Sequence, residues 1–292
     1  PYPRAMSDSP EAPRRLPRHI GKYRVLARLG EGATSEVFHA RDEFHGRDVA
    51  IKCVHIPEHV TGGDDDGHYI ERFFAAEADL VGKLEHPNVV QIYDAVADPE
   101  QPYVVMEYVP GTTLRKFCRP DNLLSLEQIV EIGFKCAMAL GYVWRQGLIH
   151  RDVKPANVLA VMDRDTVVDV KITDFGSVLQ LNAERTAVHR VGSLAYISPE
   201  QLDGATLDSR ADMYSLAAVL YHLIAGRPPF EGPTQAALMH QVFNEQPAPL
   251  GPLRDGVPAS LEALLQRALE KNPADRPGNW DDFAQSLAGV IS

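Results

Sequence analysis

Between Tyr23 and Tyr108 the chain carries several short runs of alternating apolar and polar residues, and beyond Pro110-Gly111 helical spacing dominates. That switch limits the fold more than any other feature of the sequence. Tyr23-Arg24-Val25-Leu26-Ala27-Arg28-Leu29 and Glu36-Val37-Phe38-His39-Ala40-Arg41 flank a turn of small residues, Gly30-Glu31-Gly32-Ala33-Thr34-Ser35, and predict a hairpin. Further strands are expected over Asp48–Val54, Val89–Ala97 and Tyr103–Tyr108. One helix is expected over His68–Leu84, with Phe73, Phe74, Leu80, Val81 and Leu84 as its apolar stripe. Thr113–Cys118, Leu126–Gln146 and Asp208–Ala225 then open a mainly helical half. Strands in one block and helices in the next read as an α+β fold in two lobes.

Composition narrows the class of partner. The 292 residues are 45% hydrophobic and 24% charged, near the averages for globular domains, and no apolar run reaches the length of a membrane span. A formal net charge of -11 argues against nucleic acid, which needs a basic face, and favours basic protein partners. Cys53, Cys118 and Cys136 lack disulfide or metal spacing, so reduced thiols in a cytoplasmic setting are expected. Pro1–Pro17 has no hydrophobic period and reads as a segment without fixed structure, with Met6 as the expected native start. Gly62–Gly67 is glycine-rich and acidic but has no glutamate at the position a calcium loop requires, so a solvated loop is expected.

The chemistry gathers in Ile149-His150-Arg151-Asp152-Val153-Lys154-Pro155-Ala156-Asn157. A carboxylate there can accept a hydroxyl proton, a lysine two places on can offset a migrating phosphate, and an amide oxygen can help hold magnesium. Two short strands later, after Val168–Ile172, Thr173-Asp174-Phe175-Gly176 supplies a second hard oxygen donor. Lys52 lies inside an apolar strand, where its charge needs a partner. With Gly192-Ser193-Leu194-Ala195-Tyr196-Ile197-Ser198-Pro199-Glu200 downstream, these motifs stand in the order of a protein kinase. The chain resembles the bacterial serine/threonine protein kinases of eukaryotic type.

That resemblance implies a disordered extension over residues 1–19 and a kinase domain over 20–292, its small lobe near 20–107 and its large lobe near 110–292. ATP would lie between the lobes with magnesium or manganese. Leu29 and Val37 would close on the adenine, and the turn from Gly30 through Glu31, Gly32, Ala33, Thr34 and Ser35 to Glu36 would cover the phosphates. Ser35 stands where the family has its third glycine. Ala50 would line the pocket, Met106 would guard its rear, and the backbone of Glu107 and Val109 would meet the adenine edge. Lys52, held by Glu77, would grip phosphates, although Glu71 on the same helix is an alternative partner. Asp152 and Lys154 would act on the moving phosphoryl group, and Asn157 and Asp174 would hold the metal.

Regulation by phosphate is implied by Arg151, with Thr186 the first candidate site and Ser177 and Ser193 behind it. Ser193 keeps the hydroxyl that in the family bonds the catalytic aspartate and lysine, which points to serine/threonine substrates. Ser198 and Pro199 predict a capped helix start. Asp212 is expected to hold the catalytic-loop backbone, and Arg276 to pair with Glu200. A pseudokinase and a small-molecule kinase are the alternatives. The resemblance also carries two features of relatives as expectations, a homodimer through the small lobe and a cytoplasmic domain within a longer, membrane-anchored protein.

Overall fold

A computed structural model of the chain describes residues 16–32, 35–54, 75, 78–98, 101–164, 166–175, 179–180 and 191–290. The small lobe is an antiparallel sheet of β1 (His19–Ile20), β2 (Tyr23–Glu31), β3 (Ser35–Asp42), β4 (Arg47–Val54), β5 (Ile92–Val96) and β6 (Tyr103–Glu107). Their order is β1-β2-β3-β4-β6-β5. Five are the strands that alternation predicts. The sixth, β1, adds two residues, pairing His19 with Arg24 and Ile20 with Tyr23.

Alternation puts the two faces of this sheet to different uses. Phe38 and Ala40 on β3 join Tyr23, Val25, Val49, Ile51 and Val105 in one small-lobe core. Ala50, Val104 and Met106 turn the other way and belong to a larger core that continues into the helical lobe. An α-helical bond joins Asp79 N to Ala75 O at 2.9 Å, but residues 79–83 are turns and Gly82 has φ 67°. The helix expected to reach Leu84 therefore stops short of it, tightening into i→i−3 bonds from Val81 N to Ala78 O at 3.2 Å and from Lys83 N to Leu80 O at 3.0 Å. Most of that helix, including Glu71 and Glu77, lies outside the described residues, as does the Gly62–Gly67 loop.

In the large lobe, β7 (Gly111–Thr113) pairs with β9 (Val158–Asp163), which pairs with β10 (Thr166–Ile172). The short strand β8 (Leu148–Ile149) pairs with β11 (Leu179–Gln180). Leu114–Phe117 is a 3-10 turn rather than the α-helix expected over Thr113–Cys118. The helices are α1 (Leu126–Arg145), α2 (Pro199–Leu202), α3 (Ser209–Ala225), α4 (Gln235–Asn244), α5 (Ala259–Ala268) and α6 (Trp280–Ala288). Ser125 and Gln128 close a capping box on α1. Gly133 lets α1 approach its neighbours, since a Cβ there would lie 2.8 Å from Leu220 and 3.2 Å from Leu287. Trp280, Phe283 and Leu287 of α6 are buried, as their spacing predicts. Among the described residues no helix is long and apolar enough to cross a membrane.

Ser198 stands at the N-cap of α2, but its side chain makes no capping bond. The Ser198 carbonyl serves the first turn in the ordinary way, accepting Gln201 N and Leu202 N at 3.1 Å each. The helix is anchored instead by Glu200. Arg276, 1% exposed, meets the two Glu200 oxygens at 2.7 and 2.8 Å. It also donates to the carbonyls of Glu270, Arg210 and Lys271, so all five guanidinium N–H groups are used. Removing one partner of such a pair strands a buried charge. Arg276→Met is expected to lower the unfolding free energy in urea by about 3–5 kcal/mol. Adding Glu200→Met should restore part of the loss, and a single-variant cost below about 1 kcal/mol would show the pair to be dispensable.

Candidate active site

The site begins where β8 ends. His150 is fully buried, and its Nε2 lies 3.0 Å from the Thr173 carbonyl while Asp152 N donates to its Nδ1 at 3.3 Å. The ring must therefore carry its proton on Nε2, joining the loop after β8 to the loop after β10. Its centroid is 4.7 Å from that of Phe175. The Asp212 carboxylate, from the first turn of α3, accepts His150 N and Arg151 N at 2.8 Å each. Burial raises the Asp212 pKa, and the bonds from His150 and Arg151 counter this only in part. Asp212 is thus buried and holds the catalytic-loop backbone, as expected.

These bonds support an unusual backbone. Arg151 has φ 67° and Asp174 has φ 66°, a region that non-glycine residues seldom enter. Between them the functional side chains converge. Lys154 Nζ is 2.5 Å from Asp152 Oδ2, and Asn157 Nδ2 donates to the same oxygen and to the Asp152 carbonyl, both at 2.9 Å. Register between β9 and β10 pairs Val158 with Ile172, and Thr173 N donates to Asn157 O at 2.9 Å. Asn157 and Asp174 are brought side by side in this way.

Lys52 reaches the same place from β4. Its Nζ lies 2.6 Å from Asp174 Oδ1, with the Lys52 side chain only 7% exposed. Burial would raise the Asp174 pKa, but the charge and hydrogen bond of Lys52, aided by Lys154, outweigh it and hold the carboxyl below the usual range. Glu77, the expected partner of Lys52, lies outside the described residues. Among the described residues, Asp174 is a partner of Lys52.

The roof and rear of the cleft follow the sheet. Register places Gly30 opposite Val37 and Glu31 opposite Glu36, while Gly32 N donates to Ser35 O at 2.7 Å. Ala33 and Thr34 lie outside the described residues. Ala50 and Met106 are buried in the large core, Val37 and Val109 pack against it, and Leu29 is 49% exposed. Thr173 Oγ1 is 3.9 Å from the Met106 sulfur. Glu107 gives its N–H to Gln91 O at 2.8 Å, so that N–H is unavailable to an adenine edge.

Two supports went unnoticed in the sequence. Arg28 ties both acids of the glycine turn, at 3.0 Å to Glu31 and 3.2 Å to Glu36. Lys171 holds Glu107, at the end of β6, at 2.9 Å. The alternation around Arg28 and Lys171 marks strand faces and carries no sign of these partners.

A model described as the protein kinase domain matches residues 23–287. The chain belongs to the protein kinase family. Members use ATP with a divalent metal ion, and act on protein substrates. This kinase domain is similar to the serine/threonine-protein kinase PknB of Mycobacterium leprae, 36% identical over 284 residues, covering 94% of the chain and 43% of the relative. The PknB proteins of Mycolicibacterium smegmatis and Mycobacterium tuberculosis are 36% identical over 284 residues and 35% over 270, covering 94% and 89% of the chain and 43% and 41% of each relative. The chain thus spans less than half the length of these curated relatives.

The kinase domain's activation segment, residues 174–200, is described only at its ends. Ser177 and Thr186 fall outside the described residues, and Ser193 lies in the 3-10 turn Val191–Tyr196 without a described side chain. Tyr196 closes that turn, with its hydroxyl 2.7 Å from His222 Nδ1 on α3. Burial pushes the His222 pKa down to about 4, against a hydrogen bond to the Cys118 backbone. The neutral ring therefore accepts a hydrogen bond from the Tyr196 hydroxyl at Nδ1.

An unfolded histidine titrates near 6.5, so below that pH the unfolded chain takes up a proton that folded His222 refuses until about 4. Stability falls across this window as pH drops. The His222 contribution should amount to about 2 kcal/mol between about pH 7.5 and about pH 5. Urea unfolding at the two pH values should show this component in the unmutated protein and not in His222→Gln. Equal pH dependence in both would overturn it.

Proposed function

We propose that the chain is an active serine/threonine protein kinase domain, transferring the γ-phosphoryl group of ATP to hydroxyls of protein substrates and of itself. The observation that carries this reading is the 2.6 Å approach of Lys52 to Asp174, across 122 residues, beside the Asp152–Lys154–Asn157 cluster. Lys52 and Glu77 are the proposed phosphate grip, and Leu29, Val37, Ala50, Met106 and Val109 the adenine pocket. Serine/threonine specificity is supported by the relatives' names and by Lys154 with the hydroxyl of Ser193.

The residues fit a magnesium or manganese ion. Asp174 is held ionised, and because Asn157 commits Nδ2 to Asp152, its Oδ1 is the end left for a metal. Among the described residues no three His, Cys, Asp or Glu side chains gather into a metal cage, which suits an ion bound mainly through phosphate and water oxygens. The bound ion would offset charge on the β and γ phosphates. Lys154 and Asn157 both bond Asp152 Oδ2, so Oδ1 is the oxygen that would accept and orient the substrate hydroxyl. Lys154 then sits where it can offset charge on the moving group. Most of the rate enhancement is positioning and electrostatics.

Thr186 is the proposed regulatory phosphorylation site, with Ser177 and Ser193 as lesser candidates and Arg151 as the residue that answers the phosphate. Cys53, Cys118 and Cys136 are buried and free, their thiols pushed up to about 12 by burial, which suits a reducing cytoplasmic setting. Intact mass after incubation with ATP and magnesium, with a generic basic protein as acceptor, tests the central claim. Asp152→Asn should lower phosphate transfer at least ~100-fold while keeping nucleotide binding. Comparable phosphate gain in both proteins would refute the assigned base, and none in either would refute the kinase reading. Thr186→Ala should lower autophosphorylation, and unchanged self-labelling and turnover would remove Thr186 from the scheme.

A further inference from the structure

Asp152 is aimed by the peptide unit that precedes it, the plane containing the Arg151 carbonyl and the Asp152 N–H. A peptide is rigid and flat, so bonds on its two edges fix its rotation and with it the direction of the next side chain. One edge is held weakly, by Asp152 N to His150 Nδ1 at 3.3 Å. The other is held by Gln201, whose Nε2 donates to the Arg151 carbonyl at 2.8 Å. Asp212 cannot substitute for it, because its two bonds go to the N–H groups of His150 and Arg151, on the preceding peptide planes.

Gln201 is built to do this and little else. It is 7% exposed, and its Oε1 is buried without a hydrogen-bond partner among the described residues. An amide with one idle end is a poor choice for a buried position unless the other end is needed. Its backbone is rigidly placed, since the adjacent Glu200 is clamped by Arg276 at 2.7 and 2.8 Å. The short helix α2, at the end of the activation segment, thus reaches the catalytic loop through one side chain.

From this geometry we infer that Gln201 is a positioning residue for phosphoryl transfer, holding the 151–152 peptide so that the Asp152 carboxylate faces the acceptor hydroxyl. The inference rests on the assignment of Asp152 proposed above. Small misplacements of reacting groups weigh on turnover far more than on ground-state binding. Lys52, the lysine of the proposed phosphate grip, stands on β4, away from the 151–152 peptide, so ATP binding should change little.

The test is steady-state transfer to a generic basic protein by the whole chain, comparing the unmutated protein with Gln201→Met, Gln201→Glu and Asp152→Asn. Gln201→Met keeps the shape and removes the donor, and should lower kcat about ten-fold or more with the KM for ATP within about two-fold. Thermal melts locate a temperature at which each variant is folded. Should Gln201→Met not fold, Gln201→Glu, which replaces the donor with an oxygen, decides by the same split between kcat and KM. Unchanged kcat in a folded Gln201 variant, while Asp152→Asn abolishes transfer, overturns the positioning role and leaves the Asp152 assignment standing. Equal damage to kcat and to the KM for ATP also overturns it, because a general loosening would do that. Transfer surviving in Asp152→Asn refutes the underlying assignment itself.

Discussion

One buried carboxylate supports most of what this kinase domain does. Asp212 takes the N–H groups of His150 and Arg151, and so lets Arg151 hold φ 67°. A non-glycine residue in that region costs roughly 1–3 kcal/mol. Two bonds to a charged acceptor, at about 1.5–3 kcal/mol each, are enough to offset that strain and part of the burial that raises the Asp212 pKa. A loop free to relax Arg151 would lose the direction of Asp152. The large lobe therefore buries this carboxylate in a helix most of whose residues are buried, and the active site inherits its shape from it.

Charge is distributed across the cleft by the same logic. Lys52 and Asp174 satisfy each other although they belong to different lobes, and neither could be buried alone. Their contact draws the two halves together at the point where phosphates are proposed to lie. A second pair, Arg276 with Glu200, lies outside the cleft and holds the end of the activation segment. The first pair is partly exposed and suited to exchange partners, since Asp174 keeps 33% of its side chain accessible. With all five donors used and 1% exposure, the second has no such freedom.

Much of the site was legible in the sequence. Asp152, Lys154, Asn157 and Asp174 lie in two short motifs whose internal spacing survives folding, because strands β9 and β10 return the chain directly upon itself. Expectations about the ends of elements fared less well. The helix expected to reach Leu84 stops before Gly82, and Ser198 occupies a cap position without its side chain capping, the helix being held instead through Glu200. Both misses are local competitions that periodicity does not register. Gln201, His222, Arg28 and Lys171 escaped notice for another reason. Each is an ordinary polar residue on an ordinary face, and what gives it a role is a partner in another turn or strand.

What the sequence by itself determined is the order and chemistry of the parts: strands before helices, a glycine turn, a buried lysine, two carboxylates and an amide at set intervals. Such features depend on neighbours within a few residues, where periodicity and backbone geometry act directly. Only the tertiary structure decided which charges meet and which backbone is strained. Lys52 lies 122 residues from Asp174, and His150 lies 62 from Asp212. Over such separations the partners are chosen by the packing of whole sheets and helices around two cores, and no local pattern in the chain encodes that choice.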